Sequence, residues 1–260
     1  MSDSKRPGPF PEDPADAARA FAERSTTTAT RISALVANAG LGCRFRSILT
    51  ASGEPYAELA LLFASDGDRA HGERTILRRA GWSEILKAAG SFRERAVTEF
   101  ASAQGLLPSM LVFLPFYCAL PEVEAIGPSL EDIFAQHRIA PSRVISEVVV
   151  PTMQQELTNA MAQVAWMRAL GIRVALRVES PDEPAAVALA AVTPDFLHLL
   201  RPPGSESERQ TFRAIIAKAL AQGARTILGG VDTDDAALSA EGLDAALFYG
   251  DAIAPPRFLC

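Results

Sequence analysis

Apolar residues along this chain gather in short runs, separated by longer stretches where they recur at helical spacing. The runs are Met110–Leu114, Val144–Val150, Val174–Val178, Phe196–Leu200, Thr226–Leu228 and Ala245–Phe248. Runs dominated by Val, Ile and Leu suit parallel strands buried on both faces. Between them, helices are predicted over about Leu130–Arg138, Met153–Leu170, Glu183–Ala191, Ser207–Ala221 and Asp234–Ala240. Gly171, just before Ile172-Arg173-Val174-Ala175-Leu176, is the glycine expected where a helix hands over to a strand. Upstream, Phe45–Thr50 and Tyr56–Phe63 flank the turn Ala51-Ser52-Gly53-Glu54 and read as strands. A long helical region from about Arg74 to Gln104 is expected to break near Gly90. Regular alternation of strand and helix over about 200 residues indicates an α/β chain folded as a (β/α) barrel. Chemistry in such barrels sits at the C-terminal ends of the strands.

The first residues break this pattern. Residues 1–12 are polar and proline-rich and read as a disordered tail. Asp13 followed by Pro14 starts a helix, since Asp caps free amides and Pro suits the first turn. Pro14–Arg24 and Ala29–Ala39 then read as helical, the second with Ile32, Leu35 and Val36 on one face and Gly40 at its end. The expected organisation is a tail over 1–12, a helical extension over 13–43 and a barrel domain over 44–260. The extension would cover a barrel end or meet a partner.

Composition adds exclusions. At 260 residues, 48% hydrophobic and 22% charged, the chain is ordinary globular material. A net charge of −6 argues against nucleic acid and works mildly against an anionic dinucleotide unless a basic pocket compensates. Cys43, Cys118 and Cys260 are far apart with no CxxC pair, which suggests neither a zinc site nor a disulfide framework. Free thiols fit a reducing compartment. With no apolar signal segment and no bilayer-length apolar run, the expectation is a cytoplasmic protein without a membrane span.

Local motifs, taken in order, carry a resemblance. Phe45-Arg46-Ser47-Ile48 through Ser52-Gly53 is similar to Q-P-I-V…T-G, and Leu59-Ala60-Leu61-Leu62-Phe63 stands where E-A-L-L-R would follow. Ile139–Glu147 resembles l-x-p-x-r-l-x-L-E, and Met167–Leu176 is close to l-r-x-L-G-i-r-v-A-l. Pro194–Leu200 resembles P-D-y-l-K-I-D, Gly230–Thr233 the end of A-E-G-V-E-T, and Tyr249–Pro256 Q-G-y-l-f-g-x-P. Together these identify the chain as a degenerate member of the EAL family, the cyclic di-GMP phosphodiesterases. The implied fold is a modified TIM-like (β/α) barrel of the EAL type.

Active members of that family cut cyclic di-GMP with two divalent metals, which need oxygen donors to hold and activate water. By the resemblance, most donor positions are altered here. The E-A-L glutamate is Leu59, and the asparagine of S-V-N-L is Phe113. Glu147 keeps the first acid of L-E-i-T-E, while the second is Val150. The aspartate pair of D-D-F-G-T-G is Arg177-Val178, the lysine is His198, and the aspartate two residues on is Leu200. The A-E-G-V-E glutamate is Gly229, its later acid is Asp232, and the glutamine is Tyr249. The nucleotide anchors, an early glutamine and the arginine of E-A-L-L-R, are Phe45 and Phe63. These are vestigial active-site positions, with no catalytic or metal-binding residue and no cofactor expected.

The resemblance therefore implies a non-enzymatic interaction module of bacterial signalling, in motility, surface attachment or transcription control, with an unidentified protein partner. A cyclic di-GMP receptor is the alternative, not favoured because phosphates would find only Arg177 and His198. A residual enzyme with relocated ligands is the third reading. Glu147 and Arg177 are expected to form an ion pair in place of the metal, and His198 to bond a backbone carbonyl. Trp82 and Trp166 are expected in helix packing, Asp232–Asp235 as helix-capping acids, and Arg201-Pro202-Pro203-Gly204 as an exposed connector. Family dimers use the region after D-D-F-G-T-G, and the altered Glu179–Pro184 puts those contacts in doubt.

Overall fold

The computed structural model describes residues 41–65, 70–72, 75–76, 82–103, 107–116, 130–150 and 154–259. The predicted tail over 1–12 and the helices up to residue 40 lie outside the described residues, as do Cys118 and Cys260. Nine strands are described: β1 Leu41–Thr50, β2 Pro55–Ser65, β3 Ala70–Gly72, β4 Leu111–Phe116, β5 Val144–Val149, β6 Arg173–Val178, β7 Phe196–Leu199, β8 Arg225–Leu228 and β9 Leu247–Phe248. Because β1 begins at Leu41, residues 41–43 belong to the barrel wall rather than to the extension.

Strands β2, β4, β5, β6, β7, β8 and β9 run parallel in that order, and β1 closes the ring by pairing antiparallel with both β9 and β2. The short β3 pairs with the end of β2 beyond its contact with β4. The described helices are α1 Trp82–Ser102, α2 Leu130–His137, α3 Gln154–Ala169, α4 Glu183–Val192, α5 Glu206–Ala221 and α6 Asp234–Ala240. Helix α1 runs unbroken through Gly90, against the sequence expectation. A glycine costs a helix only about 1 kcal/mol, and the buried face of Phe92, Ala96, Val97 and Phe100 outweighs that.

Two apolar layers hold the fold. One lies between the strands and the helices and includes Phe45, Phe92, Phe100, Val148, Met167 and Phe212. The other fills the barrel interior with Ile48, Leu59, Phe113, Ile145, Phe196 and Ile227. Phe113 and Phe196 meet edge to face there, ring centroids 5.3 Å apart, so the barrel is packed rather than hollow.

Local signals set the element ends. Asp182 caps α4, Ser205 caps α5 and Thr233 caps α6, each side chain accepting a backbone N–H three residues on. Asp234 and Asp235 fall in the first turn of α6, as the reading of that acidic run expected, but Asp232 does not. Gly171 takes φ +81° at the α3–β6 junction, a conformation that favours glycine. Trp166 packs partly buried against the outer layer. The Arg201 loop is stapled rather than free: Arg201 grips Glu208 at 2.7 and 3.0 Å, and Gly204 N–H donates to the same carboxylate. These bonds from Arg201 and Gly204 lower the Glu208 carboxyl to about 2.

Candidate functional site

The parallel strands end together at one rim, where β1 enters because it runs the other way. Alternation along β1 points Gly42, Arg44, Arg46 and Ile48 inward and Cys43, Phe45 and Ser47 outward. On β2 the inward series is Ala57, Leu59, Leu61 and Phe63. Glu147 on β5, Arg177 on β6, His198 on β7 and Tyr249 after β9 complete the mouth.

Its centre is a buried chain of hydrogen bonds. His198 donates from Nδ1 to Glu147 Oε1. Its Nε2 shares a 2.8 Å hydrogen bond with the Tyr249 hydroxyl. Glu147 and His198 are each 1% exposed and Tyr249 6%. Burial alone would raise the Glu147 carboxyl. The His198 charge, the hydrogen bond from His198 and the field of Arg177 together outweigh it and hold the carboxyl below its ordinary value.

The expected Glu147–Arg177 ion pair is therefore corrected. The group in direct contact with Glu147 is His198, and Arg177 acts on it electrostatically. His198 likewise does not rest on a backbone carbonyl, because a buried carboxylate across the mouth is the stronger partner. Gly229 and Tyr249 are coupled as well. A Cβ at 229 would lie 2.2 Å from the tyrosine ring, so the ring fills the space a side chain at 229 would need.

Phe45 also needs correction. It is fully buried in the layer between strands and helices, so it cannot face a ligand in the mouth. Its neighbours do. Arg46 pairs with Asp251 at 2.6 Å and Asp232 at 3.6 Å, and its guanidinium lies 5.8 Å over the Tyr249 ring. Arg44 sits between two rings, 4.9 Å from Phe63 and 5.1 Å from Phe258. Asp232 thus serves the mouth, accepting also from the Asp251 N–H at 2.7 Å. The rim is completed by the chain after β9. Arg257 exchanges backbone hydrogen bonds with Phe45 and reaches the buried Glu58 at 2.6 Å, with Ser47 between them. Val178 points away into the outer core.

Sequence reasoning missed Arg44, Arg46, Asp251 and Phe258. The signal was present in β1 itself: Ile48 belongs to the interior, so period two puts 46 and 44 inside with it.

Two divalent cations do not fit these donors. Leu59 and Phe113 are apolar filling, Gly229 offers no side chain, and the Glu147 carboxylate is engaged by His198. Among the described residues, no group of three or more His, Cys, Asp or Glu is placed to hold a metal.

A parallel barrel closed by one reversed strand, with its polar cluster at the C-terminal rim, defines the class: a modified (β/α) barrel. The chain belongs to the EAL domain family, which it matches over residues 83–256. No curated protein is similar to it by sequence. Among solved structures, the Bd1971 EAL enzyme in its cAMP- and cyclic di-GMP-bound form superposes with a TM-score of 0.76 at 15% identity, covering 92% of this chain and 68% of that one. The Xanthomonas citri FimX EAL domain in complex with c-diGMP gives 0.72 at 16%, covering 92% and 96%. The Bacillus subtilis YkuI protein, with an EAL domain, in complex with c-di-GMP and calcium, gives 0.70 at 15%. This chain spans 57% of YkuI, and YkuI accounts for 90% of this chain. At these identities the likeness speaks for the fold.

Proposed function

We propose that this EAL-family barrel is a metal-free, non-hydrolytic regulatory module of bacterial signalling that works in the cytoplasm by engaging another protein. One observation carries the loss of hydrolysis. By the resemblance, the acid that remains unchanged in the family's donor set, Glu147, is buried and committed to His198, while apolar groups and a tyrosine ring fill the space around it. Holding two metals and an activated water needs several free carboxylates. The protein partner follows from what a family member does once its chemistry is gone. The purified chain, incubated with cyclic di-GMP and Mg²⁺ or Mn²⁺, is expected to release no linear dinucleotide above a protein-free control. Turnover that disappears in Glu147→Ala would overturn the reading. Affinity co-purification with mass spectrometry then tests the partner, and a protein that always emerges alone counts against it.

A second reading, a cyclic di-GMP receptor, gains from a specific finding. The mouth carries Arg44 as well as Arg177, while Arg46 is held by Asp232 and Asp251, so the shortage of cations that told against a phosphate ligand is eased. Calorimetry with cyclic di-GMP in EDTA separates the two readings: micromolar binding favours the receptor.

A further inference from the structure

The edge of β1 that faces β9 is only partly covered. Leu49 and Thr50 pair with β9. From Leu41 to Ile48, the one backbone pairing on that edge among the described residues is Phe45 with Arg257. The chain after β9 therefore lies along β1 as a strap, and its side chains straddle the β1–β2 ribbon. Arg257 drops to the outer face, where it donates to the Ser47 hydroxyl and to Glu58, each at 2.6 Å. Phe258 turns to the inner face, meeting the Phe63 ring edge to face at 5.8 Å with the Arg44 guanidinium 5.1 Å from its own ring. Leu259 returns to the outer layer. This is the alternation of a strand added to a sheet edge, where backbone bonds hold the segment and alternate side chains decide which sequence fits.

The two sides of this contact are built differently. On the barrel, Glu58 and Ser47 are buried, and the hydroxyl donates to that carboxylate at 3.1 Å. Gly42 leaves the room that the Phe63 ring takes, since a Cβ there would come within 2.3 Å of it. On the strap, 44% of the Arg257 side chain and 53% of Phe258 remain exposed. Pro255 and Pro256 offer no N–H with which to lengthen the pairing upstream. The receiving groups thus belong to the core, and their occupant is a lightly held surface segment. A buried carboxylate without a cation is costly, so whatever replaces the strap has to bring one.

We infer that this edge of β1 is a docking site for an extended segment of a protein partner, one carrying an arginine, then an aromatic and then an aliphatic residue, and that the strap fills it as a stand-in. The inference rests on the reading that this module engages another protein. A tethered strap competes at an effective concentration of about millimolar, so the site opens to an untethered segment once the strap's anchors are removed. The test uses the full chain carrying Arg257→Ala and Phe258→Ala, with a synthetic Ala-Pro-Pro-Arg-Phe-Leu peptide as the probe. Calorimetry should show binding to the variant, and binding to wild type weaker by about tenfold or more because its strap is in place. The peptide should also raise the variant's melting temperature. A peptide with Gln for its arginine should bind about tenfold or more weakly, the loss of a charge-assisted hydrogen bond, and adding Glu58→Gln to the variant should remove that preference. If the variant ignores the peptide, or the Arg and Gln peptides bind alike, the inference fails, whatever co-purification returns. If the peptide binds as expected and the chain always co-purifies alone, the partner reading fails and the site stands. Should the variant fold poorly, a peptide with benzoylphenylalanine for its phenylalanine is photo-crosslinked to wild type. Crosslinks at Arg44 or Phe63 uphold the site, and none there overturns it.

Discussion

Replacing His198 by alanine tests the centre of the mouth. The change removes the hydrogen-bond partner of a carboxylate that is 1% exposed. Breaking one side of a buried pair costs about 3–5 kcal/mol. The field of Arg177 remains on Glu147, which sets the expectation at the lower end, about 3 kcal/mol. In a domain of this size that is a fall of roughly 6–12 °C in melting temperature. The pH dependence has a definite sign. Folding lowers the Glu147 carboxyl, so the pair's contribution is complete above the unfolded carboxylate value of about 4.3 and is lost as pH falls through the lower folded value. In His198→Ala the burial remains and the His198 contributions are gone, so the carboxyl rises. The deficit against wild type is therefore largest near neutral pH and narrows toward about pH 4. Circular-dichroism melts and urea titrations at both pH values measure it. Adding Glu147→Gln should recover more than about 1 kcal/mol relative to the sum of the single changes. A cost under about 1 kcal/mol at neutral pH, or one that ignores pH, would refute the reasoning.

Other outcomes follow from the same geometry. Gly229→Ala should destabilise by about 1–3 kcal/mol through overpacking against Tyr249, and Tyr249→Ala in the same chain should relieve part of it; additive melts would show the clash absent. Arg257→Ala leaves the 1%-exposed Glu58 with Ser47 as its one partner among the described residues, which should cost about 1–3 kcal/mol in urea unfolding, and Glu58→Gln should soften the loss. Millimolar Mg²⁺, Mn²⁺ or EDTA should leave the melting temperature unchanged. A metal-induced rise of several degrees would reveal a bound cation. Gly171→Ala should cost about 1 kcal/mol because φ is +81° there, a value read from the same melts.

The barrel was legible because its signal is local. Buried parallel strands show as Val, Ile and Leu runs, and Gly171 and the residues before α4, α5 and α6 mark the joins. Strand β3 escaped, three residues being too few for any period to show. The mouth was harder. Glu147, His198 and Tyr249 come from β5, β7 and the end of β9, and which side chains meet across the opening depends on barrel tilt rather than on spacing. The expectation that a buried carboxylate would take the arginine on the adjacent strand gave Glu147 the wrong partner, because His198 one strand further on reaches it. The error at Phe45 differs in kind: matching letters to a motif outweighed the period of the strand, which a single interior anchor at Ile48 would have fixed. Arg257 and Phe258 stayed hidden because nothing in a short proline-bounded segment announces that it pairs with a strand more than 200 residues earlier.

The coupling of Gly229 to Tyr249 also limits which histories are open to this chain. A carboxylate at position 229 needs the ring at 249 replaced by something smaller, because both would claim one space. Removing the ring first takes a hydrogen-bond partner from His198 while nothing has yet been gained. Each single change is unfavourable by itself, and the two together cost less than either order of single steps suggests. The tyrosine therefore acts as a ratchet, so selection for metal binding would have to pass through a weakened intermediate.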